Sequence, residues 1–384
     1  MNNRNSSLLE PRHYAGVQRP MQHAETLPPG VYADEEFYRW EVARIFSGGW
    51  HCVGHVGQLP ETGDYRAFEI VGVPLILVRG DDLQLRVFSN TCRHRAMPLL
   101  EDSGRCRRIR CPFHSWTYGL DGALLRTPGM EQAAEFCHDD YGLVALRVED
   151  SHGLVFVNFD RNAPRLTEFL GDFADVHAPW SFSNMRATRR RGFEVACNWK
   201  LFIQVFMEYY HLPSVHPDSL CETRYQPSDD EQAGTGGFIS VFGLHEGTGA
   251  VLQTANRETL PAIASLHGKW VNGSRYTHIL PSTILCATRD CMWFFECYPQ
   301  GPDRTKLYMN SCFPKDSVAL PEFETMVARY YERWDMALDE DIAILEKQQL
   351  GVGSPLARPG RISHLESAVG YFETWLAARV SATT

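Results

Sequence analysis

The stretch from Cys92 to His114 decides the fold of this chain. It begins with Cys92-Arg93-His94, continues for sixteen residues and closes with Cys111-Pro112-Phe113-His114. Each arm contributes one thiol and one imidazole, which together make a four-ligand metal clamp. Zinc fingers usually take their cysteine pair from one arm and their histidine pair from the other. One cysteine and one histidine from each arm is instead typical of a Rieske [2Fe–2S] centre, although a zinc clip or unrelated core cysteines are the alternatives.

The residues around the clamp resemble the two cluster loops of Rieske proteins. Residues 90–95 read Asn-Thr-Cys-Arg-His-Arg and residues 111–116 read Cys-Pro-Phe-His-Ser-Trp, and the turn that follows at 118–122 is similar as well. Rieske proteins usually have glycine at the position of Ala96, and glycine is common at that of Ser115. The resemblance implies that the [2Fe–2S] cluster is bound by Cys92, His94, Cys111 and His114.

Composition limits the class of protein. The chain has 384 residues, enough for two domains, with 44% hydrophobic and 22% charged residues, as in a globular protein. Its formal charge of −10 disfavours nucleic acid or an anionic membrane as a partner. The sequence has no apolar run of the ~20 residues that span a bilayer, and its N-terminus lacks a signal-peptide core. Eleven irregularly spaced cysteines argue against a disulfide framework and favour the cytoplasm.

Sequence patterns divide the chain into three parts. Residues 1–48 form a polar arm and a helix capped by Asp34, expected to pack on the catalytic domain. Residues 49–160 contain short, often β-branched runs, which predict a small all-β Rieske domain with both cluster loops at strand ends. Residues 161–384 predict an α+β catalytic domain, an antiparallel sheet covered by helices, in which residues 226–249 form a long loop. The overall fold class is therefore α+β.

A second constellation lies at residues 208–217. On a helix, Glu208 and His211 are three residues apart and share a face. Pro213 would then interrupt the helix and let His216 return to the same point. Two imidazoles with one carboxylate form the facial triad of non-haem Fe(II) oxygenases, which leaves iron positions open for O₂. The alternative is an ordinary pair of core or surface histidines.

Over nearly its whole length the chain resembles the α subunit of Rieske non-haem iron ring-hydroxylating oxygenases. Residues 198–200 read Asn-Trp-Lys, as at the family's entry to the iron-bearing helix. The resemblance gives the ligand role to His211, His216 and Asp341, with Asp339 as the fallback carboxylate. Glu208 becomes the bridge between a cluster histidine of one subunit, His94 or His114, and an iron histidine of the next. Such a bridge implies a homotrimer.

Several features resemble the branch that oxidises choline, glycine betaine and carnitine. These are the glutamate at the bridge, the Tyr-His-x₄-His-Pro pattern and residues 359–366. The branch implies a monooxygenase or N-demethylase, supplied with electrons by a separate NAD(P)H-dependent flavoprotein reductase, directly or through a ferredoxin. Gln204-Val205 replaces the branch's acid-Asn pair, which predicts an altered pocket. Nearby aromatic residues either form a cation–π cage or belong to the ordinary core: Phe202, Phe206, Tyr209 and Phe294.

Two other functions remain open from the sequence. The first is an aromatic ring-hydroxylating dioxygenase α subunit, with or without a small β subunit, which forms a cis-diol or a phenol. The second is a non-catalytic Rieske electron carrier. A carrier would end near 150 residues or have a membrane anchor, and it would lack His211, His216 and Asp341.

Overall fold

The computed structural model describes residues 8–216, 219–220, 226–227, 235–252 and 258–382. The chain divides into two compact units. One unit consists of residues 46–166, and the other combines the residues up to 45 with those from 167 onward. Among the described helices, none is both long and apolar enough to cross a membrane.

The unit of residues 46–166 is built from short antiparallel strands. In chain order they are β1 His51–His55, β2 Asp64–Ile70, β3 Val73–Arg79, β4 Leu85–Ser89, β5 Ser103–Arg105, β6 Ile109–Arg110, β7 Thr117–Tyr118, β8 Leu124–Arg126, β9 Arg147–Ser151 and β10 Leu154–Asn158. They form three sheets with the orders β4-β3-β2-β5, β6-β7-β8 and β1-β10-β9. One arm of the cysteine–histidine clamp follows β4, and the other connects β6 to β7.

The two clamp cysteines belong to the hydrophobic core of this unit. Cys92 and Cys111 are buried in one cluster with Trp116, Tyr118 and Phe88. The ends of the strands that carry the clamp are therefore held by the same packing that stabilises the sheets. The predicted small all-β domain is thus present.

The second unit contains a seven-stranded antiparallel sheet with the order β11-β17-β16-β15-β14-β13-β12. The strands are β11 Met185–Val195, β12 Gln226–Pro227, β13 Phe238–Leu244, β14 Gly273–Ile279, β15 Thr283–Ala287, β16 Met292–Gly301 and β17 Arg304–Pro314. The α-helices of the chain are α1 Glu35–Glu41, α2 Leu166–Leu170, α3 Phe173–His177, α4 Trp199–Val205, α5 Leu212–Val215, α6 Lys315–Val318, α7 Phe323–Val352 and α8 Ser367–Ser381. Helix α4 packs against α7 and against β16, which places helices on the sheet as predicted.

The predicted loop at 226–249 is wrong in part. Strand β13 lies inside it and pairs along its whole length with β14, from Phe238 opposite Ile279 to Leu244 opposite Gly273. Pairing with a neighbouring strand outweighs the local glycine content, because most side chains of β13 are buried in the sheet. Residues 228–234 of the predicted loop lie outside the described residues.

Buried polar contacts join the N-terminal segment to α4 within this unit. Asp34 caps α1 by accepting a hydrogen bond from the Phe37 N–H at 2.7 Å, as the sequence predicts. Lys200 donates to Glu41 at 2.7 Å, and both side chains are fully buried. The indole of Trp199 donates to the same carboxylate at 3.2 Å. The Trp-Lys pair therefore anchors the N-terminal segment.

Candidate metal centres

The two arms of the clamp share one backbone hydrogen-bond pattern. In the first arm the Cys92 carbonyl accepts from the Ala96 N–H at 2.9 Å, and in the second the Cys111 carbonyl accepts from the Ser115 N–H at 3.1 Å. Each cysteine N–H in turn donates to a carbonyl five residues later, Cys92 to Met97 and Cys111 to Trp116. Ala96 and Ser115 have φ angles of 56° and 61°. These are left-handed conformations that favour glycine, which explains the glycine usual in related loops.

The side chains of the clamp fit a metal cluster. Cys92 and Cys111 are buried free thiols. The rings of His94 and His114 have centroids 4.7 Å apart. In the described part of the chain, the buried Nδ1 atoms of both imidazoles have no hydrogen-bond partner. Buried polar atoms in folded proteins are normally paired, so two unpaired nitrogens beside two buried thiols indicate metal ligands.

Neighbouring groups tune these ligands. Burial raises the pKa of the Cys92 thiol, and the hydrogen bond with the Tyr118 hydroxyl, at 3.3 Å, opposes that rise. Burial lowers the pKa of His94, and the nearby positive charges of His114 and Arg95 lower it further. A lowered pKa keeps the imidazole neutral, which is its metal-binding form.

Three side chains converge at a second centre. The Nε2 atoms of His211 and His216 are 3.2 Å apart, and Oδ1 of Asp341 lies 3.1 Å from Nε2 of His216 and 3.7 Å from that of His211. The ligand atoms of these three side chains all lie within 4.8 Å of one another, which is close enough to bind a single metal ion. Two imidazoles and one carboxylate are the donor set of non-haem iron sites.

A carboxylate fixes each imidazole from its other side. Oε1 of Glu208 accepts from Nδ1 of His211 at 2.5 Å, and Oε2 of Glu340 accepts from Nδ1 of His216 at 2.7 Å. The proton then resides on Nδ1, so that Nε2 of each ring is free to bind a metal. The sequence interpretation missed this role of Glu340. Its position directly before Asp341 was the available signal.

The predicted helix through Glu208 and His211 is wrong. Helix α4 ends at Val205, and the Glu208 carboxylate instead accepts hydrogen bonds from the Tyr210 and His211 N–H groups. Pro213 does not interrupt a helix but lies in the first turn of α5, where its missing N–H costs nothing. Glu208 therefore reaches His211 through a turn. Pro217 of the predicted motif lies outside the described residues.

Helix α7 separates its acidic residues by face. Asp341 is buried at the metal centre, whereas Asp339 is exposed. Asp335 forms ion pairs of 2.7 Å with Arg189 and Arg191. The helical period of 3.6 residues places position 341, and not 339, on the side that faces the two histidines.

A cavity of about 40 Å³ adjoins the three converging side chains. This volume accommodates a metal ion and a water molecule, so a larger ligand requires rim side chains to move. Phe206 and Tyr209 line it as predicted, but Phe202 and Phe294 do not. Its other lining residues include Leu212, Leu220, Tyr276, Trp293, Arg333 and Ala337.

Strand geometry explains the error over the aromatic residues. Tyr276 on β14 lies opposite Cys286 on β15, which lies opposite Trp293 on β16. These residues share one face of the sheet, and the next residue, Phe294, points to the other face. Phe202 packs against Phe206 with ring centroids 4.8 Å apart and belongs to the core.

Gln204 lies away from this cavity. It donates to Glu373 at 2.8 Å, and its amide and the Tyr32 hydroxyl lie about 3 Å apart, at 3.0–3.1 Å. Burial raises the pKa of Glu373 to about 8, so that the carboxyl is protonated at neutral pH. Gln204 thus supports a buried network and does not line the cavity beside the histidines. It borders instead a groove of about 630 Å³ that also reaches Glu208 and His211.

Two family models match this chain. Residues 49–137 match the Rieske [2Fe-2S] domain, and residues 182–382, more than half of the chain, match the catalytic domain of the ring-hydroxylating α subunit. The chain belongs to the ring-hydroxylating α-subunit family. This α subunit is a Rieske-type oxidoreductase, and both cofactors predicted from its sequence, a [2Fe–2S] cluster and a mononuclear iron, are confirmed. The plain electron-carrier function is excluded because a carrier has no catalytic domain.

Relatives of the α subunit cover nearly its full length. The glycine betaine monooxygenase oxygenase subunit of Pseudomonas aeruginosa is 26% identical over 404 residues, which cover 97% of this chain and 93% of that protein. The carnitine monooxygenase oxygenase subunit of Escherichia coli is 28% identical over 365 residues, which cover 93% and 92%. A solved structure of the quaternary ammonium Rieske monooxygenase CntA with its substrate gamma-butyrobetaine matches with a TM-score of 0.79 and 23% identity, and covers 97% and 99%. The fold is therefore that of Rieske oxygenases.

Proposed function

We propose that this α subunit is the terminal oxygenase of a monooxygenase system that oxidises a small quaternary ammonium compound. The observation that carries the proposal is the convergence of His211, His216 and Asp341 beside a cavity lined by aromatic rings. Relatives named as glycine betaine and carnitine monooxygenases support it. Aromatic faces attract a trimethylammonium group, which cannot be neutralised by losing a proton.

The metal ligands follow from the donor atoms. We assign the mononuclear iron to His211, His216 and Asp341, and the cluster to Cys92, His94, Cys111 and His114. When bound, the iron supplies the activation of O₂ and the cluster supplies electrons one at a time. Glu208 and Glu340 hold the Nδ1 protons and orient the two imidazoles. Phe206, Tyr209, Tyr276 and Trp293 exclude water and stabilise the cationic substrate.

The reaction balances as a mono-oxygenation. O₂ accepts four electrons, two from the reductase and two from a C–H bond next to the quaternary nitrogen. One oxygen atom enters the substrate as a hydroxyl group and the other leaves as water. The resulting carbinolamine breaks its C–N bond and releases an aldehyde and an amine. Oxidation of an N-methyl group gives formaldehyde.

We further propose that the α subunit forms a homotrimer in the cytoplasm and takes electrons from a flavin-containing NAD(P)H reductase, directly or through a ferredoxin. In that assembly Glu208 would connect His211 to a cluster histidine of the neighbouring subunit. The groove that reaches Glu208 and His211 offers room for such an approach. The free thiols among the described cysteines agree with a reducing compartment. We place the domain boundaries at 1–48, 49–160 and 161–384.

The function is tested by a product screen. The purified protein, with both metal centres, a reductase, NADH and O₂, is incubated with glycine betaine, carnitine, choline and naphthalene. Formaldehyde or another aldehyde together with the matching amine supports the proposal. A cis-diol or a phenol from naphthalene, with no product from the ammonium compounds, overturns it in favour of an aromatic-ring dioxygenase.

The bridging role is tested by Glu208→Gln. The amide keeps the size of the side chain but is a weaker acceptor for the Nδ1 proton. We expect both metal centres to persist while single-turnover oxidation of the cluster by substrate and O₂ slows at least tenfold, on the order of one charged hydrogen bond. A single-turnover rate equal to that of the wild type would eliminate the bridge. Glu346→Gln, on the same unit but outside the metal site, is the matched control.

A further inference from the structure

Arg333 is a buried cation in the wall of the metal cavity. It lies on α7 and is 6% exposed, and it lines the same cavity as His211, His216 and Asp341. Positions 333, 337 and 341 follow one another at helical spacing and all line this cavity. At 1.5 Å per residue, Arg333 and Asp341 are separated by about 12 Å along the helix axis. Arg333 and the metal-facing side chains therefore border one and the same cavity.

The Arg333 guanidinium has no counter-charge in the described part of the chain. Its buried Nε has no hydrogen-bond partner, and no ion pair with a described carboxylate forms. Arg190, which is also largely buried, shows the usual solution: it donates two hydrogen bonds to Glu296, at 3.1 and 2.7 Å. A guanidinium cannot give up its proton, so an unpaired one in the protein interior is costly unless a ligand compensates it.

The titratable groups around Arg333 do not balance its charge. Burial lowers the pKa of His245 to about 4, and the positive charge of Arg333 contributes to that lowering. The two carboxylates that line the cavity are already engaged: Glu208 accepts from His211, and Asp341 faces the histidine pair. Neither carboxylate is therefore left to pair with the guanidinium, whereas the anionic group of a bound molecule would pair with it.

We propose that Arg333 binds the carboxylate of the substrate and thereby selects carboxylated quaternary ammonium compounds over cations such as choline. This inference rests on the proposed function of the same site. The planar guanidinium forms two parallel hydrogen bonds with a carboxylate, which fixes the orientation of a bound zwitterion. Its N-methyl end then lies among the rings of Tyr276 and Trp293. Arg333 is a binding residue and takes no part in the oxidation itself.

The test compares four ligands by isothermal titration calorimetry with the fully metallated protein. Glycine betaine and carnitine have a free carboxylate, whereas choline and the methyl ester of glycine betaine do not. We expect the wild type to bind the first pair more tightly. Arg333→Met should weaken the binding of the carboxylated pair about 10- to 100-fold, the loss of a charged hydrogen-bonded contact, and change that of the other pair by less than about twofold. The affinity of Arg333→Lys for the carboxylated pair should lie between those of the wild type and Arg333→Met.

Thermal unfolding separates binding from a structural role. Methionine has a similar length and no charge, so Arg333→Met without ligand should melt at the same temperature as the wild type or higher. It should lose the stabilisation that saturating glycine betaine gives to the wild type. Arg329→Met removes an arginine one turn earlier on α7, which contacts the Glu258 carbonyl at 3.2 Å, and should change neither result.

Three results would overturn the role of Arg333. They are equal weakening of all four ligands in Arg333→Met, unchanged binding of glycine betaine, and a wild type that prefers choline to glycine betaine. If Arg333→Met fails to fold, two measurements still test the role of Arg333. They are the affinities of Arg333→Lys for the four ligands and the preference of the wild type for glycine betaine over choline. Failure of the proposed function looks different, because the wild type would then bind and oxidise none of the four ammonium compounds.

Discussion

The substitution Tyr118→Phe tests whether one hydroxyl group sets the reduction potential of the Rieske cluster. The Tyr118 hydroxyl lies 3.3 Å from Sγ of Cys92 and accepts a hydrogen bond from the Arg93 N–H at 3.1 Å. Burial raises the pKa of Tyr118, and the neighbouring Cys92 raises it further, so the hydroxyl keeps its proton. With its lone pair taken by Arg93, the hydroxyl donates its proton to the sulfur.

The size of the effect follows from the charge on the sulfur. A hydrogen bond to a charged group contributes about 1.5–3 kcal/mol, and only the part that differs between the oxidised and reduced cluster changes the potential. We take this difference between the two oxidation states as about 1 kcal/mol, because the added electron strengthens a hydrogen bond from Tyr118 to Cys92 that is already present in the oxidised cluster. For a one-electron couple, about 1.4 kcal/mol corresponds to about 59 mV. Removal of the donor destabilises the reduced state, so the potential should fall by about 40 mV.

The potential is measured by redox titration of the purified protein at neutral pH, followed by the EPR signal of the reduced cluster. Tyr141→Phe is the control, since Tyr141 packs edge-on against Trp116 at 6.2 Å and makes no contact with the cysteine sulfur. An unchanged or higher potential in Tyr118→Phe, with an intact cluster signal, would refute the role of the hydroxyl.

Three further predictions concern the ligand set, the cluster loop and the pH dependence of stability. Asp341→Ala should lose the mononuclear iron and turnover but keep the cluster spectrum. Asp339→Ala, at an exposed position, should keep the iron, the turnover and the cluster spectrum. Ala96→Gly should raise the free energy of unfolding by about 0.5–1 kcal/mol in urea titrations, because it relieves a left-handed backbone, and Ala67→Gly in β2 should lower it. The raised pKa of Glu373, about 8, contributes stability that is complete below pH ~4.5 and is lost as the pH rises through 8. The melting temperature of Glu373→Gln should therefore fall less than that of the wild type between about pH 5 and about pH 8, which lies within that window.

Each of these predictions has a clear contrary result. Iron retained by Asp341→Ala and lost by Asp339→Ala would move the ligand role to Asp339. Equal destabilisation by both alanine-to-glycine changes would mean that the backbone at Ala96 is unstrained. Parallel pH profiles for the wild type and Glu373→Gln would show that this carboxyl titrates near its ordinary value.

Local spacing explains which parts of the two sites the sequence could predict. The cluster loops place each cysteine within three residues of its histidine, and His211 and His216 are five residues apart, so their ligand types are readable from the chain. Asp341 is more than a hundred residues further on, and only the family resemblance pointed to it. The role of Glu340 depends on a contact across 124 residues, and no local pattern encodes it.

The aromatic lining shows a second limit. In the run 292–298 nearly every residue is apolar and all are buried, so both faces of this part of the strand are covered. The sequence therefore does not indicate which of Trp293 and Phe294 faces the metal. That choice depends on the register of β16 with β15, which sets Trp293 opposite Cys286. Register is a property of the whole sheet and not of the segment.

Helix α7 fixes the spacing between the substrate-binding cation and the metal centre. This single continuous helix, Phe323–Val352, carries both the metal-facing Asp341 and the buried Arg333. The interval between the anchored end of a substrate and its oxidised carbon is consequently set by whole helical turns, each about 5.4 Å long. Relocating the cation by one turn, to position 337, would select a shorter substrate without any change at the metal. Homologues whose substrates differ in length are therefore expected to carry this cation at different positions along the helix, while the oxidation at the metal centre stays the same.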